Sequence, residues 1–144
     1  MLVHQILKST ADDSVMTVPP GTLVSDVVKT LAEKGIGTVL VSKDGKSPDG
    51  ILSERDIVRQ MASKGGAVLQ AKVEDYMTAK LVTCARNDSA ESVLTQMTQG
   101  RFRHMPVLEN GELVGLISLG DVVKARLAEL AMEKDALEGM IMGH

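Results

Sequence analysis

Apolar residues recur along the chain in two matched sets. Val24, Val27, Val28 and Leu31 stand at i, i+3, i+4 and i+7, and Ala90, Val93, Leu94 and Met97 repeat that spacing 66 residues later. Each set forms one stripe on a helix. GILSERDIV at 50–58 matches GLISLGDVV at 115–123 at an offset of 65, and VHQILK at 3–8 matches VEDYMT at 73–78 at an offset of 70. The second copy has lost one residue in the turn between its strands, and the first carries extra residues in STADDSVM at 9–16. Apolar pattern, turns and polar residues recur in one order, so the chain is an internal repeat.

Each copy predicts a β-α-β-β-α unit. Short first strands fall near Met16–Val18 and Val82–Cys84. Helices over 23–34 and 89–99 end near Gly35 and Gly100, where glycine suits a helix C-terminus. Paired strands follow at Gly37–Ser42 with Gly50–Ser53, and at His104–Leu108 with Leu113–Ile117. Asp44-Gly45 and Asn110-Gly111 between them are hairpin dipeptides. Pro106 lacks an N–H and predicts an edge or a local irregularity. The second helices begin after Ser53 and Ser118.

One unit of about 60 residues leaves a sheet face bare, and two units packed sheet to sheet cover both. The expected fold is α/β (α+β), a pseudo-two-fold intramolecular pair: repeat 1 over 1–66, repeat 2 over 67–130, and a C-terminal helix extension over 131–144. Gly65-Gly66-Ala67 reads as the linker. In the last helix, Val123, Leu127, Leu130, Leu137 and Ile141 form a narrow stripe interrupted by Lys134. That stripe fits packing on a neighbouring subunit or on the domain's own flank better than an independent coiled coil.

Composition narrows the function. Tyr76 and Phe102 are the only aromatics, Trp is absent, and nine Met help fill the core. Proteins that read single strands stack bases on several aromatics. Sixteen Lys plus Arg against nineteen Asp plus Glu leave a net charge of −3, with no long basic run to hold a phosphate backbone. Nucleic acid is therefore not the expected partner. Cys84 is the only cysteine, which excludes an internal disulfide and a Cys-rich zinc site. It reads as a small buried residue. No apolar run approaches the roughly 18 residues of a membrane span, and the N-terminus does not read as a signal peptide. A soluble, cytoplasmic protein without membrane contact is expected.

GILSERD paired with GLISLGD, RFRHMPV before a hairpin, and VEDYMT opening a repeat resemble tandem cystathionine β-synthase (CBS) domains. The resemblance covers residues 1 to about 130 and implies an intramolecular pair, the Bateman module, that usually dimerises into a flat disk. It also implies adenosine-type ligands in clefts between the repeats: AMP, ADP, ATP, NAD or S-adenosylmethionine.

Ser53-x-x-Asp56 and Ser118-x-x-Asp121 carry two readings. Ser at an N-cap with an acid three residues on is nearly a capping box. Alternatively, Asp accepts from ribose hydroxyls while Ser offers its hydroxyl to a phosphate at the helix N-terminus. The resemblance favours ribose binding, with capping as a second duty. Arg55 opposes the macrodipole in the first helical turn unless a phosphate lies beside it. Its counterpart is Gly120, so the two clefts are expected to differ. Arg101, Phe102, Arg103 and His104 match the uncharged Gly35, Ile36, Gly37 and Thr38. Forked Arg donors suit phosphate oxygens, and the glycines would let adenine approach the backbone. The resemblance places these segments, with Met105 and Pro106, along the cleft, and Thr17 and Thr83 beside the adenine.

His4, His104 and His144 are scattered, and no zinc, P-loop or Ser-hydrolase motif occurs. The expectation is a non-catalytic sensor of adenine nucleotides, a homodimer acting on an unidentified regulated protein. The alternatives are a structural dimerisation module without a specific ligand, or a module for S-adenosylmethionine.

Overall fold

The computed structural model describes residues 1–9 and 15–142. Residues 10–14 of the STADDSVM stretch, and His144, lie outside them. The elements in chain order are α1 (Val3–Ser9), β1 (Thr17–Val18), α2 (Val24–Lys34), β2 (Thr38–Val41), β3 (Gly50–Ser53), α3 (Glu54–Lys64), α4 (Val73–Tyr76), α5 (Ala90–Gly100), β4 (His104–Glu109), β5 (Glu112–Ser118) and α6 (Leu119–Ile141). The expected linker is a 3-10 turn over Gly65–Gln70, and its Val68 is buried in the first core. The helical stripes are as predicted: Val24, Val27 and Leu31 are buried on α2, and Ala90, Val93 and Met97 on α5.

In the first sheet, β1 runs parallel to β2 and β2 antiparallel to β3. The second sheet has only β4 and β5, antiparallel, plus a single parallel bridge between Cys84 and Val107. Pro106 explains the missing strand. In repeat 1 the Leu40 N–H donates to the Met16 carbonyl at 3.0 Å. Pro106 occupies the matching place and has no N–H, so the strand expected at Val82–Cys84 shrinks to one bridge. A register shift between Val107 and Leu108 completes the irregularity.

The hairpins differ as well. Asn110 and Gly111 both have positive φ, 54° and 78°, the two-residue turn that Asn-Gly favours. Asp44-Gly45 instead lies in a longer loop over 42–49, where the Asp44 carboxylate accepts from the backbone N–H groups of Lys46 and Ser47. Those bonds hold its pKa below the usual carboxylate value.

Two apolar cores form, and each contains a helix from the other end of the repeat pattern. Val3 and Ile6 of α1 are buried with Val93, Met97, Met105, Ile117 and Val122 of the second repeat. Val73 of α4 is buried with Val24, Val39 and Leu52 of the first. Backbone bonds tie the exchange at both ends: Val3 N–H to Asp88 O at 2.9 Å, and Val73 N–H to Thr22 O at 2.8 Å. The packed units are therefore offset from the sequence copies, because each opening segment, read without an element in the sequence, is a helix given to the other sheet. Leu40 is fully buried yet belongs to neither core, alternating with Val39 and Val41 along β2.

Truncating the exchanged helix tests this arrangement. Ile6→Ala is expected to destabilise the protein by about 2–4 kcal/mol, the range for a large aliphatic removed from a packed core. The loss should appear in the urea midpoint, although Ile6 lies over 75 residues in sequence from Ala90 and the rest of the core it fills. An effect below about 0.5 kcal/mol would show that α1 is dispensable to repeat 2.

Candidate functional site

The backbone at the end of β3 and the start of α3 sets the site. Ser53 is extended (φ −104°, ψ 161°) and caps α3: its hydroxyl accepts from the Asp56 N–H at 3.2 Å, and Asp56 Oδ2 accepts from the Ser53 N–H at 3.0 Å. The Ser53 hydroxyl also donates to Oδ2 at 2.8 Å. Ser118 and Asp121 repeat the box on α6 with a longer return bond of 3.4 Å. The capping reading of Ser-x-x-Asp thus holds in both copies. It leaves the other oxygen, Asp56 Oδ1, with Arg59 Nη1 at 3.9 Å. Capping therefore orients the carboxylate without using all of its acceptor capacity.

A cleft of about 500 Å³ lies at this helix start, with walls from both repeats. Such a volume suits a small organic ligand. Repeat 1 contributes Gly37, Thr38, Ser53, Arg55 and Asp56. The buried Thr38 hydroxyl already donates to the Leu52 carbonyl at 3.0 Å, so it serves the hairpin. Repeat 2 contributes Arg101, Phe102, Arg103, His104 and Pro106. The remaining expected residues lie elsewhere. Met105 is fully buried in the second core because it alternates with His104 along β4. Ile36 packs against the first core, Gly35 is the αL residue that ends α2, Thr17 pairs with Leu40 in β1, and Thr83 is exposed beside the lone bridge.

Ser118 and Asp121 belong to the opposite side of the pseudo-two-fold. The segment matching Thr78–Val82 of the first cleft runs from Lys8 to Met16 there, and 10–14 lie outside the described residues.

Sequence reasoning missed part of the wall. Arg59 stands one turn after Arg55, and that i, i+4 spacing could have revealed it. Lys80, Leu81 and Val82 line the cleft from an irregular segment with no periodic signal. The cationic side chains facing the space are Arg55, Arg59, Lys80, Arg101 and Arg103, against the carboxylates Glu54 and Asp56. Five against two gives a local excess of three positive charges in a chain of net charge −3.

Arg101 is held unusually. It ends α5 in the left-handed conformation (φ 57°, ψ 41°), nearly superposing on Gly35 (φ 63°, ψ 36°). Helix α5 runs one residue past the expected end, since it matches α2 at the offset of 66 and the left-handed place of Gly35 falls on Arg101; Gly100 lies directly against the Phe102 ring, where a Cβ would collide with it. A branched cation therefore occupies a position that favours glycine by roughly 1 kcal/mol or more.

His104 is half-buried at the start of β4, opposite Ser118 in the hairpin. Burial pulls its imidazole below the usual 6.5; Asp121, Glu54 and Asp56 pull it back upward, and Arg103 adds to the lowering. It thus feels carboxylates from both Ser-x-x-Asp helices. Cys84, whose thiol burial pushes up to about 12, is inert core. No group of three or more His, Cys, Asp or Glu among the described residues could hold a metal ion, and no helix there is long and apolar enough to cross a membrane.

A family model described as "CBS domain" matches residues 6–63 and 73–128. The chain is 32% identical over 148 residues to the Arabidopsis thaliana CBS domain-containing protein CBSX3, mitochondrial, covering 98% of this chain and 72% of that protein. Some plant relatives are much longer, and the chain spans 22% of one of them. The fold is similar to the crystal structure of the CBS-domain containing protein ATU1752 from Agrobacterium tumefaciens (TM-score 0.82, 41% identity, 88% of this chain and 99% of that one). It is also similar to the CBS domain pair of protein MJ0100, solved with 5′-methylthioadenosine and S-adenosyl-L-methionine (TM-score 0.76, 19% identity, 90% and 98% covered).

Two measurements probe this site. Because the fold favours neutral His104, the unfolded chain binds the extra proton as pH falls below 6.5, and stability is lost in that direction. Urea midpoints between about pH 7.5 and about 5.5 should fall less steeply for His104→Gln than for the parent. Arg101→Gly should raise stability by about 0.5–1 kcal/mol in the same assay by relieving the left-handed arginine, while removing a cation from the cleft. A destabilised Gly variant would mean that the Arg101 side chain holds the fold together.

Proposed function

The chain belongs to the CBS-domain family, and on that premise we propose that it is a non-catalytic regulatory module that binds an adenine nucleotide in the cleft at the start of α3. The ligand is AMP, ADP, ATP or NAD. The observation that carries this reading is the meeting, in one cleft, of a capped and oriented Asp56 with Arg55, Arg59, Lys80, Arg101 and Arg103. Asp56 Oδ1 suits ribose hydroxyls, as a carboxylate does in dinucleotide folds. The cations suit phosphate oxygens, and the N-terminus of α3 favours negative charge. The first repeat's Gly37 and Ile51 and the segment Leu81–Val82 leave an uncharged side for the base.

Because both repeats wall the cleft, a ligand that fits one inter-repeat geometry better shifts the molecule toward it, by no more than its differential affinity. That shift would be read by a regulated protein. The module acts in the cytoplasm as a homodimer, for which the exposed apolar residues of α6 offer a surface. S-adenosylmethionine, with which the MJ0100 pair was solved, is the second reading. At 19% identity that neighbour supports the fold alone, and a cleft rich in arginine is poorly suited to a sulfonium cation.

Thermal unfolding with AMP, ADP, ATP, NAD and S-adenosylmethionine in parallel tests the reading. A nucleotide at 100 times its dissociation constant adds about 2.7 kcal/mol of stability. No shift from any of the five at millimolar concentration would leave a structural dimerisation module. Asp56→Asn separates the carboxylate's two duties, since the amide oxygen can still accept from the Ser53 N–H. Stability should change by less than about 1 kcal/mol while affinity drops about ten-fold or more. An equal loss of both would make Asp56 a cap alone.

A further inference from the structure

We propose that a phosphate-bearing nucleotide entering the cleft at the start of α3 brings a proton onto His104, so that acidification tightens the complex. This rests on the nucleotide reading above and adds a second input to it, pH.

His104 stands where the two repeats meet. Along β4 it pairs with Ser118, the residue that caps α6, yet it lines the cleft beside Ser53 and Asp56 of the other repeat. Its counterpart Thr38 pairs with Ser53 and lines the same cleft, but the Thr38 hydroxyl is committed to the Leu52 carbonyl at 3.0 Å. Among the described residues, neither ring nitrogen of His104 has a hydrogen-bond partner. The imidazole is thus a donor at the cleft wall with no structural bond to keep. Of the side chains lining the cleft, it alone has an ordinary pKa close to neutrality.

Its charged surroundings come from both repeats. Burial is the largest influence and opposes the imidazolium, as does Arg103; Asp121 on α6 and Glu54 and Asp56 on α3 favour it. Arg55 and Arg59 on α3, Lys80 in the segment before Cys84, and Arg101 at the end of α5 add to the positive field of the cleft. The balance leaves the ring neutral near pH 7, with its pKa below the usual 6.5.

A phosphate group reverses that balance. Its charge offsets the cationic excess of the cleft, and its oxygens accept a charge-assisted bond from the ring. Asp121, Glu54 and Asp56 still favour the proton, so the imidazolium becomes the preferred form. A ligand that raises a pKa binds more tightly as pH falls from above the raised value toward the unliganded one. Because Asp56 and Asp121 both act on this proton, it also links the starts of α3 and α6, helices of different repeats.

Calorimetry and proton NMR test the coupling. AMP, ADP, ATP and NAD are each titrated into the parent and into His104→Gln at about pH 7.5, 6.5 and 5.5. Ionisation of the nucleotide's own phosphate is common to both proteins and cancels in their affinity ratio. That ratio, parent over variant, should rise about three-fold or more from the highest pH to the lowest. In the parent, the His104 ring resonance, identified by its loss in the Gln variant, should titrate at higher pH when the protein is saturated with the same nucleotide. A resonance whose midpoint the nucleotide leaves unmoved or lowers would overturn the proposal and leave nucleotide binding standing. An affinity ratio that stays flat with pH would do the same. No binding of any of these nucleotides at any pH would remove both readings.

Discussion

Two small sheets each need a cover, and the reciprocal exchange of α1 and α4 supplies it. Neither repeat encloses its own core: without Val3 and Ile6 the second sheet loses buried neighbours on β5 and α6, and without Val73 the first loses them on β3 and α3. The exchange also fixes how the halves sit. Bonds at Val3 to Asp88 and at Val73 to Thr22 cross between the copies at opposite ends. Residues from both halves then meet in one cleft at stable positions. Regulation by ligand has to work against this clasp, so the geometric change available to the pair is a small repacking of the cleft rather than a separation of domains.

Within that frame, local backbone chemistry aims the site. The capping box makes Asp56 and Ser53 a rigid pair, and rigidity is what a ligand-facing carboxylate needs. Capping and binding are therefore not competing explanations of Ser-x-x-Asp: one oxygen closes the helix start, and the second faces the cleft with only a long contact to Arg59. Glu54, the next residue, donates its N–H to the Gly37 carbonyl at 2.8 Å and locks the strand entry to the same helix turn.

Much of this was legible in the chain itself, and the omissions have physical causes. The i, i+3, i+4, i+7 stripes foretold α2 and α5 because burial selects those positions directly. Asn110-Gly111 foretold its turn because few residues accept two successive positive φ values. The opening helices were invisible as helices: α4 has four residues, too few for a period, and its role appears only in tertiary contacts. Met105 looked like part of the cleft because its neighbours His104 and Pro106 are; strand alternation turned it inward. Lys80 stands in a stretch without regular structure, where only the folded chain decides what faces what.

The divergence of the two repeats follows from a single shared backbone path. Gly35-Ile36-Gly37-Thr38 and Arg101-Phe102-Arg103-His104 leave their helices through the same left-handed residue and enter matching strands. In the first copy the path is permissive and uncharged. In the second, an arginine endures the left-handed position, a phenyl ring presses on Gly100, and a half-buried imidazole replaces a hydroxyl that served only its hairpin. The arginine and the imidazole are locally unfavourable for folding, and each adds a donor or a cation at the cleft. Strain and desolvation that the scaffold does not require are concentrated where a ligand would repay them, as expected when a site is built on one half of a duplicated fold. The other half keeps the plain version: Gly35-Ile36-Gly37-Thr38 carries no charge on the same backbone path.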